Sequence, residues 1–229
     1  MTIAGCFLAG PDLALVWCDT ETFSGGRPGK HRNKLVVNVA AGLACTGAGW
    51  SGLSDAAAHV ADRALNIDDA IPRLGAPLRE TALKMCKDTH LHPAEIGRAT
   101  ICLAGWSHRM GRVVAYEAAG SALFQPVLIT RLASPWPEGW DDAFRPDDPA
   151  SLADLARRQL GLLRESWPDA EAGILSLAVI RPGHVEAGPF LDFGTGRLLW
   201  PGLTGSVGLT EAEPPASGPE DRVSQPIAA

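Results

Sequence analysis

Thr2-Ile3-Ala4-Gly5-Cys6-Phe7-Leu8-Ala9 and Leu13-Ala14-Leu15-Val16-Trp17-Cys18 are short apolar runs separated by Gly10-Pro11-Asp12. Runs of this length bounded by Gly, Pro and Asp read as strands joined by a turn. A Gly/Pro-rich excursion, Ser24-Gly25-Gly26-Arg27-Pro28-Gly29, leads to Lys34-Leu35-Val36-Val37-Asn38-Val39. A further strand, Ala41 to Thr46, closes on Gly47-Ala48-Gly49. The chain up to Gly49 is therefore read as β.

Helical spacing follows. Ser54-Asp55 predicts an N-cap for the alanine-rich Ala56 to Leu65. Ile67, Ala70, Ile71, Leu74, Leu78, Ala82 and Met85 then recur at helical period, and Pro72 and Pro77 predict a kink or a split. The β pattern returns at Thr100 to Trp106, Arg112 to Glu117 and Gln125 to Arg131. Beyond a turn-rich stretch with Pro135, Pro137, Pro146 and Pro149, Ser151 caps a helix whose stripe is Leu152, Leu155, Ala156, Leu160 and Leu163. Strands resume at Gly173 to Ile180, His184 to Ala187 and Phe190 to Phe193. Residues 211–229 are rich in Pro, Glu, Ser and Ala, which predicts a disordered tail. Two β blocks and two helical blocks predict an α+β fold over residues 1–210: a four-layer αββα sandwich of two antiparallel sheets flanked by helices.

With 229 residues, 46% hydrophobic and 20% charged, the chain has enough apolar surface for one well-buried core. The net charge is -6 and no basic cluster stands out, which argues against nucleic-acid binding. Five cysteines, Cys6, Cys18, Cys45, Cys86 and Cys102, lie far apart in apolar stretches without Cys-x-x-Cys spacing. They read as free buried thiols in a reducing compartment, not as disulfides or zinc ligands. No signal peptide and no stretch near the ~20 apolar residues of a membrane span is seen, so a cytoplasmic protein without membrane partners is expected.

Chemistry enters at Thr2. Loss of Met1 would leave a residue with a hydroxyl and a free α-amine, a nucleophile and its own base, since that amine titrates at about 7.7–8.0. The sequence then supplies a lysine on the next strand, Lys34.

On these residues the chain resembles the proteasome-type N-terminal-nucleophile hydrolases. The marks are Thr2 at the start, Val16-Trp17-Cys18-Asp19-Thr20-Glu21 at the end of the second strand, and Lys34 before apolar strand residues. Two more are Thr46-Gly47-Ala48-Gly49 before the first long helix and Asp169-Ala170-Glu171-Ala172-Gly173 before a late strand. The likeness covers Thr2 to Phe193 in element order and implies a threonine protease of proteasome-like fold. In that reading Thr2 attacks an amide carbonyl, Lys34 tunes the amine, Asp19 holds Lys34, Gly47 donates its N–H to the oxyanion, and Asp169 orients the amine. The resemblance also implies a peptide or amide substrate, a homo-oligomer, a possible unfoldase partner, and no metal or organic cofactor.

Departures favour rival readings. Ala172 stands where the family often has serine, Glu21 replaces a usual arginine, and no Gly-Ser-Gly turn is evident, Ser134 in Ala133-Ser134-Pro135 being the nearest candidate. A non-catalytic structural or binding subunit on the same fold, and a small-molecule amidase, therefore remain alternatives. Elsewhere, His90-Leu91-His92 reads as an exposed pair and not a metal site. Asp141-Asp142 and Asp147-Asp148 read as loop and cap residues. Trp106, Trp136, Trp140 and Trp167 read as covers for sheet ends or a subunit interface.

Overall fold

Alternation along the first two strands sets the layering. In β1 (Ala4–Leu8) and β2 (Ala14–Asp19), the residues Ala4, Cys6, Ala14, Val16 and Cys18 pack into one buried cluster and Leu15 and Trp17 into another. A two-residue period sends successive side chains to opposite faces of a sheet. The computed structural model describes residues 2–24, 27–140, 144 and 148–200. The expected tail at 211–229, Gly25-Gly26, Asp141-Asp142 and Asp147 lie outside them.

After β2 come a hairpin, β3 (Glu21–Ser24) and β4 (Arg27–His31), then β5 (Val36–Asn38) and β6 (Leu43–Ala48). Next are α1 (Ser51–Asp62), α2 (Ile67–Thr89) and the short α3 (Pro93–Gly97), followed by β7 (Thr100–Ser107), β8 (Arg112–Ala119), β9 (Pro126–Ile129) and β10 (Arg131–Ser134). The last elements are α4 (Pro149–Ser166), β11 (Ile174–Arg181) and β12 (His184–Asp192). The strands form two five-stranded antiparallel sheets, β10-β1-β2-β11-β12 and β5-β6-β7-β8-β9.

Three buried clusters give the layers. Between the sheets lie Ala4, Cys6, Val16 and Cys18 from one and Ala44, Cys102, Ala104 and Val113 from the other. On the far side of the second sheet, α1 and α2 bury Leu53, Ala57, Leu74 and Leu78 against Leu43, Ile101 and Leu103. On the far side of the first, α4 buries Leu152, Leu155, Ala156 and Leu163 against Leu15, Trp17 and Leu177. The fold is mixed α+β, and its layering is compatible with an αββα sandwich.

One polar side chain is buried inside the α4 layer. Gln159 accepts from Trp17 Nε1 at 3.0 Å and donates to the carbonyls of Ala4, Ser134 and Pro135 at 3.1, 3.0 and 3.1 Å. Amide and indole groups at this depth need such partners, because an orphaned buried group costs about 1–3 kcal/mol. Here they tie α4 to β1, β2 and β10.

Several boundaries differ from the sequence reading. α1 begins at Ser51 with Trp50 as an N-cap that makes no side-chain bond, so Ser54-Asp55 lies inside the first turns and Asp55 pairs with Arg32. α2 is one continuous helix despite Pro72 and Pro77, capped by Asn66, which accepts from the Asp69 N–H at 2.9 Å. Pro72 is exposed and Pro77 half-buried, so water can satisfy carbonyls freed on that face. Asp148, not Ser151, caps α4, accepting from Ala150 N at 2.9 Å, with Pro149 in the first turn. The strand expected over Gln125 to Arg131 is two strands in different sheets, and the one after His184 is continuous to Asp192.

Candidate active site

Thr2 lies ahead of β1 and Lys34 ahead of β5, on opposing sheets, and not on adjacent strands of one sheet as the sequence suggested. The short β5 starts two residues after Lys34, which leaves the lysine stem free to cross the gap between the sheets. Lys34 Nζ donates to Thr2 Oγ at 3.0 Å and to Asp19 Oδ1 at 2.7 Å. Thr2 is 5% exposed and Asp19 fully buried, and the Lys34 side chain is only 10% exposed. Asp19 is fixed at the end of β2, where its N–H donates to the Ile3 carbonyl at 2.9 Å. Three of the five expected residues thus meet.

The ion pair is strained by its setting. Burial pushes the Asp19 carboxyl up to about 6, the Glu21 charge adds to this, and Lys34 and the Ile3 amide pull it down. Loss of water around a carboxylate disfavours its charge more than one lysine restores here. Asp19 Oδ2 and Thr46 Oγ are buried without a partner of hydrogen-bonding geometry among the described residues. Cys18 is buried beside the same group, its thiol pushed up to about 12 by burial first and then by Asp19. It behaves as packing, not as a competing nucleophile.

Gly47 differs from expectation in its backbone. It lies within β6, paired with Ile101, and the turn is made by Gly49 at φ 116. A Cβ at Gly47 would stand 2.5 Å from Ile101 Cδ1 and 2.9 Å from the Thr100 carbonyl, so packing alone requires glycine there. Continuing the Val36↔Cys45 register by two residues brings Gly47 level with Lys34.

Asp169 is a correction. It is exposed in the turn between α4 and β11 and makes no hydrogen bond or ion pair with Thr2, Asp19 or Lys34. A different carboxylate serves that loop. Glu21, 1% exposed, accepts from the N–H groups of Glu171 at 3.0 Å and Ala172 at 2.7 Å. Next to it, Thr20 Oγ accepts from Ile174 N at 3.1 Å. Its departure from arginine was the only signal of Glu21 in the sequence. Ser134, the weak serine candidate, pairs with Ala4 on β10.

Beside this group, a cavity of about 850 Å³ is bordered by Thr20, His31, Arg32, Asn33, Arg164 and Gly173 among others. A second, of about 460 Å³, shares Thr20, Asn33 and Ile174 with it. Among the described residues no cluster of His, Cys, Asp and Glu is arranged to hold a metal. His92 instead caps α3, accepting from Ala94 N at 3.1 Å, and His90 ends α2 in the left-handed region at φ 54. Trp140, expected at a sheet end, is buried against Trp136 and Phe144. No helix among the described residues is long and apolar enough to cross a membrane. Comparison of the chain with protein-family models gives no match, and comparison with curated proteins gives none either.

Proposed function

We propose that the chain is an N-terminal-threonine hydrolase of proteasome-like fold that cleaves amide bonds through Thr2 once Met1 is removed. The observation that carries this reading is the buried contact of Lys34 Nζ with both Thr2 Oγ and Asp19 Oδ1 at 3.0 and 2.7 Å. A lysine donating to a threonine hydroxyl inside a protein is an unusual use of a charge, and desolvation makes it costly unless it has a task.

The chemistry follows from the parts. Thr2 Oγ attacks the carbonyl carbon, and its proton passes to the α-amine of the same residue. Lys34 places positive charge beside that oxygen as it reacts and disfavours protonation of the amine. Asp19, ionised, holds the ammonium in place. Collapse of the tetrahedral intermediate expels the amine fragment with a proton from the α-ammonium and leaves an ester on Thr2. Water, activated by the amine, then frees the acid. Gly47, level with Lys34, is the backbone donor proposed for the oxyanion. The substrate is a peptide or simple amide, and a homo-oligomer, with or without an unfoldase, remains part of the proposal.

The rival reading, a non-catalytic subunit on this fold, draws on two observations. Asp169 is turned out to solvent, and the two cavities at this end are bordered by Thr20, Asn33 and Ile174 and not by Thr2. Intact mass of the mature chain together with labelling by an electrophilic threonine-directed inhibitor separates the two. A chain lacking Met1 that acquires one adduct on Thr2 supports the hydrolase. A chain that keeps Met1 and stays unlabelled supports the subunit.

A further inference from the structure

Glu21 is a buried carboxylate with no place in the mechanism above. It stands two residues beyond Asp19, across Thr20, as the first residue of β3. Its Oε2 collects two successive backbone N–H groups, those of Glu171 and Ala172. Ala172 and Gly173 lie in the left-handed region at φ 63 and φ 65, and alanine adopts that conformation only at a cost. A Cβ on Gly173 would fall 2.8 Å from Thr20 Oγ and 2.5 Å from His31 Nδ1, so the loop is pressed against Thr20 and His31. One carboxylate thus holds a strained loop and stands two residues along the chain from Asp19.

Resting on the hydrolase reading, we infer that Glu21 is a positioning residue: it clamps the 171–173 loop, which leads into the β11 start paired with Asp19, and adds a second negative charge two residues from Asp19. The charge acts through Asp19, which senses Glu21, Cys18 from β2 and Lys34 before β5, the lysine in turn holding Thr2 Oγ. Around Glu21 itself stand His31, its cross-strand partner on β4, Arg164 of α4, which donates to the Ala170 carbonyl at 2.7 Å, and the loop's own Glu171.

The sign is fixed by like-charge repulsion. Removing the Glu21 charge makes Asp19 easier to ionise and the Thr2 amine harder to protonate, and both changes extend activity to lower pH. The test uses ¹³C-carboxyl NMR titration of Asp19 with the pH profile of Thr2 labelling, in wild type, Glu21→Gln and Glu21→Ala. Glu21→Gln keeps an acceptor oxygen, so its Asp19 midpoint and its acid limb should both move down by roughly half a unit or more. Glu21→Ala should show the same shift and also lose on the order of tenfold in labelling rate at every pH, because the loop is unclamped. An Asp19 midpoint unchanged in Glu21→Gln overturns the inference. Should both variants fail to fold, the wild type still decides. The Glu171 and Ala172 amide shifts should follow the same steps as the Asp19 carboxyl, and independent curves overturn it. Absence of any Thr2 labelling in wild type, with the Asp19 shift intact, would instead sink the hydrolase reading alone.

Discussion

The two flanks of the site are held in different ways. On one, Lys34 bridges Thr2 and Asp19 through side chains that cross from sheet to sheet. On the other, the loop before β11 is held through its backbone, by Glu21 and Thr20. Side-chain recognition demands particular residues at particular positions. Backbone recognition accepts any loop sequence that can take the bend. The first flank therefore leaves a pattern in the sequence, and the second leaves almost none.

The largest expected effect breaks the first flank. Thr2→Ala should abolish adduct formation with a threonine-directed electrophile while near-ultraviolet circular dichroism stays that of the wild type. Equal labelling of both proteins would remove Thr2 from the chemistry. Lys34→Ala should lower the labelling rate by about 10²–10⁴-fold, the range of a lost positioned proton-transfer group. It should also raise the Asp19 midpoint further, since Lys34 opposes the effect of burial. A rate within a few-fold of wild type would reduce the lysine to a structural role.

The same flank sets a pH limit. Asp19 must be ionised to hold Lys34, so the labelling rate should fall as pH drops through about 6. Its stability linkage runs the other way. A carboxyl whose folded value is raised from 3.8 to about 6 favours folding fully below 3.8, and that contribution is lost as pH rises through 6. The ionised Asp19 that the proposed chemistry needs at neutral pH is thus a charge that weakens the fold, and urea titrations of wild type at pH 4.5 and 7.5 with Asp19→Asn as reference would show it.

Gln159→Leu sharpens the comparison from outside the site. It orphans the Trp17 indole and withdraws the amide donor from three carbonyls, so a loss of about 2 kcal/mol and a Tm lowered by roughly 4–8 °C are expected. The labelling rate of the folded fraction should stay near wild type. Smallest of all is Asp169→Ala, expected to change the rate by less than about twofold because the side chain faces solvent. A tenfold loss there would restore Asp169 to the site.

Much of this architecture could be read beforehand, for identifiable reasons. Apolar runs between Gly/Pro turns announced β1, β2, β7, β8 and β11, and the 3.6-residue stripe announced α2 and α4. The β3–β4 hairpin was hidden because Glu21 to His31 has no apolar alternation. The switch between β9 and β10 was hidden because local pattern says nothing about which sheet a strand joins. Thr2 and Lys34 were legible as side chains, and Asp19 through the family resemblance. Glu21 was not, since its partners are amide groups that every residue except proline carries. Asp169 was misplaced for the converse reason: its surroundings matched, and only the exposed turn revealed that its carboxylate points elsewhere.

The passage from β9 to β10 takes one residue, Thr130, yet β9 pairs with β8 and β10 with β1. That short span acts as a rivet between the two sheets. Sliding one sheet over the other would tear a ladder on each side of it. Since Thr2 stands ahead of β1 and Lys34 ahead of β5, the same span helps fix the 3.0 Å separation of their side chains.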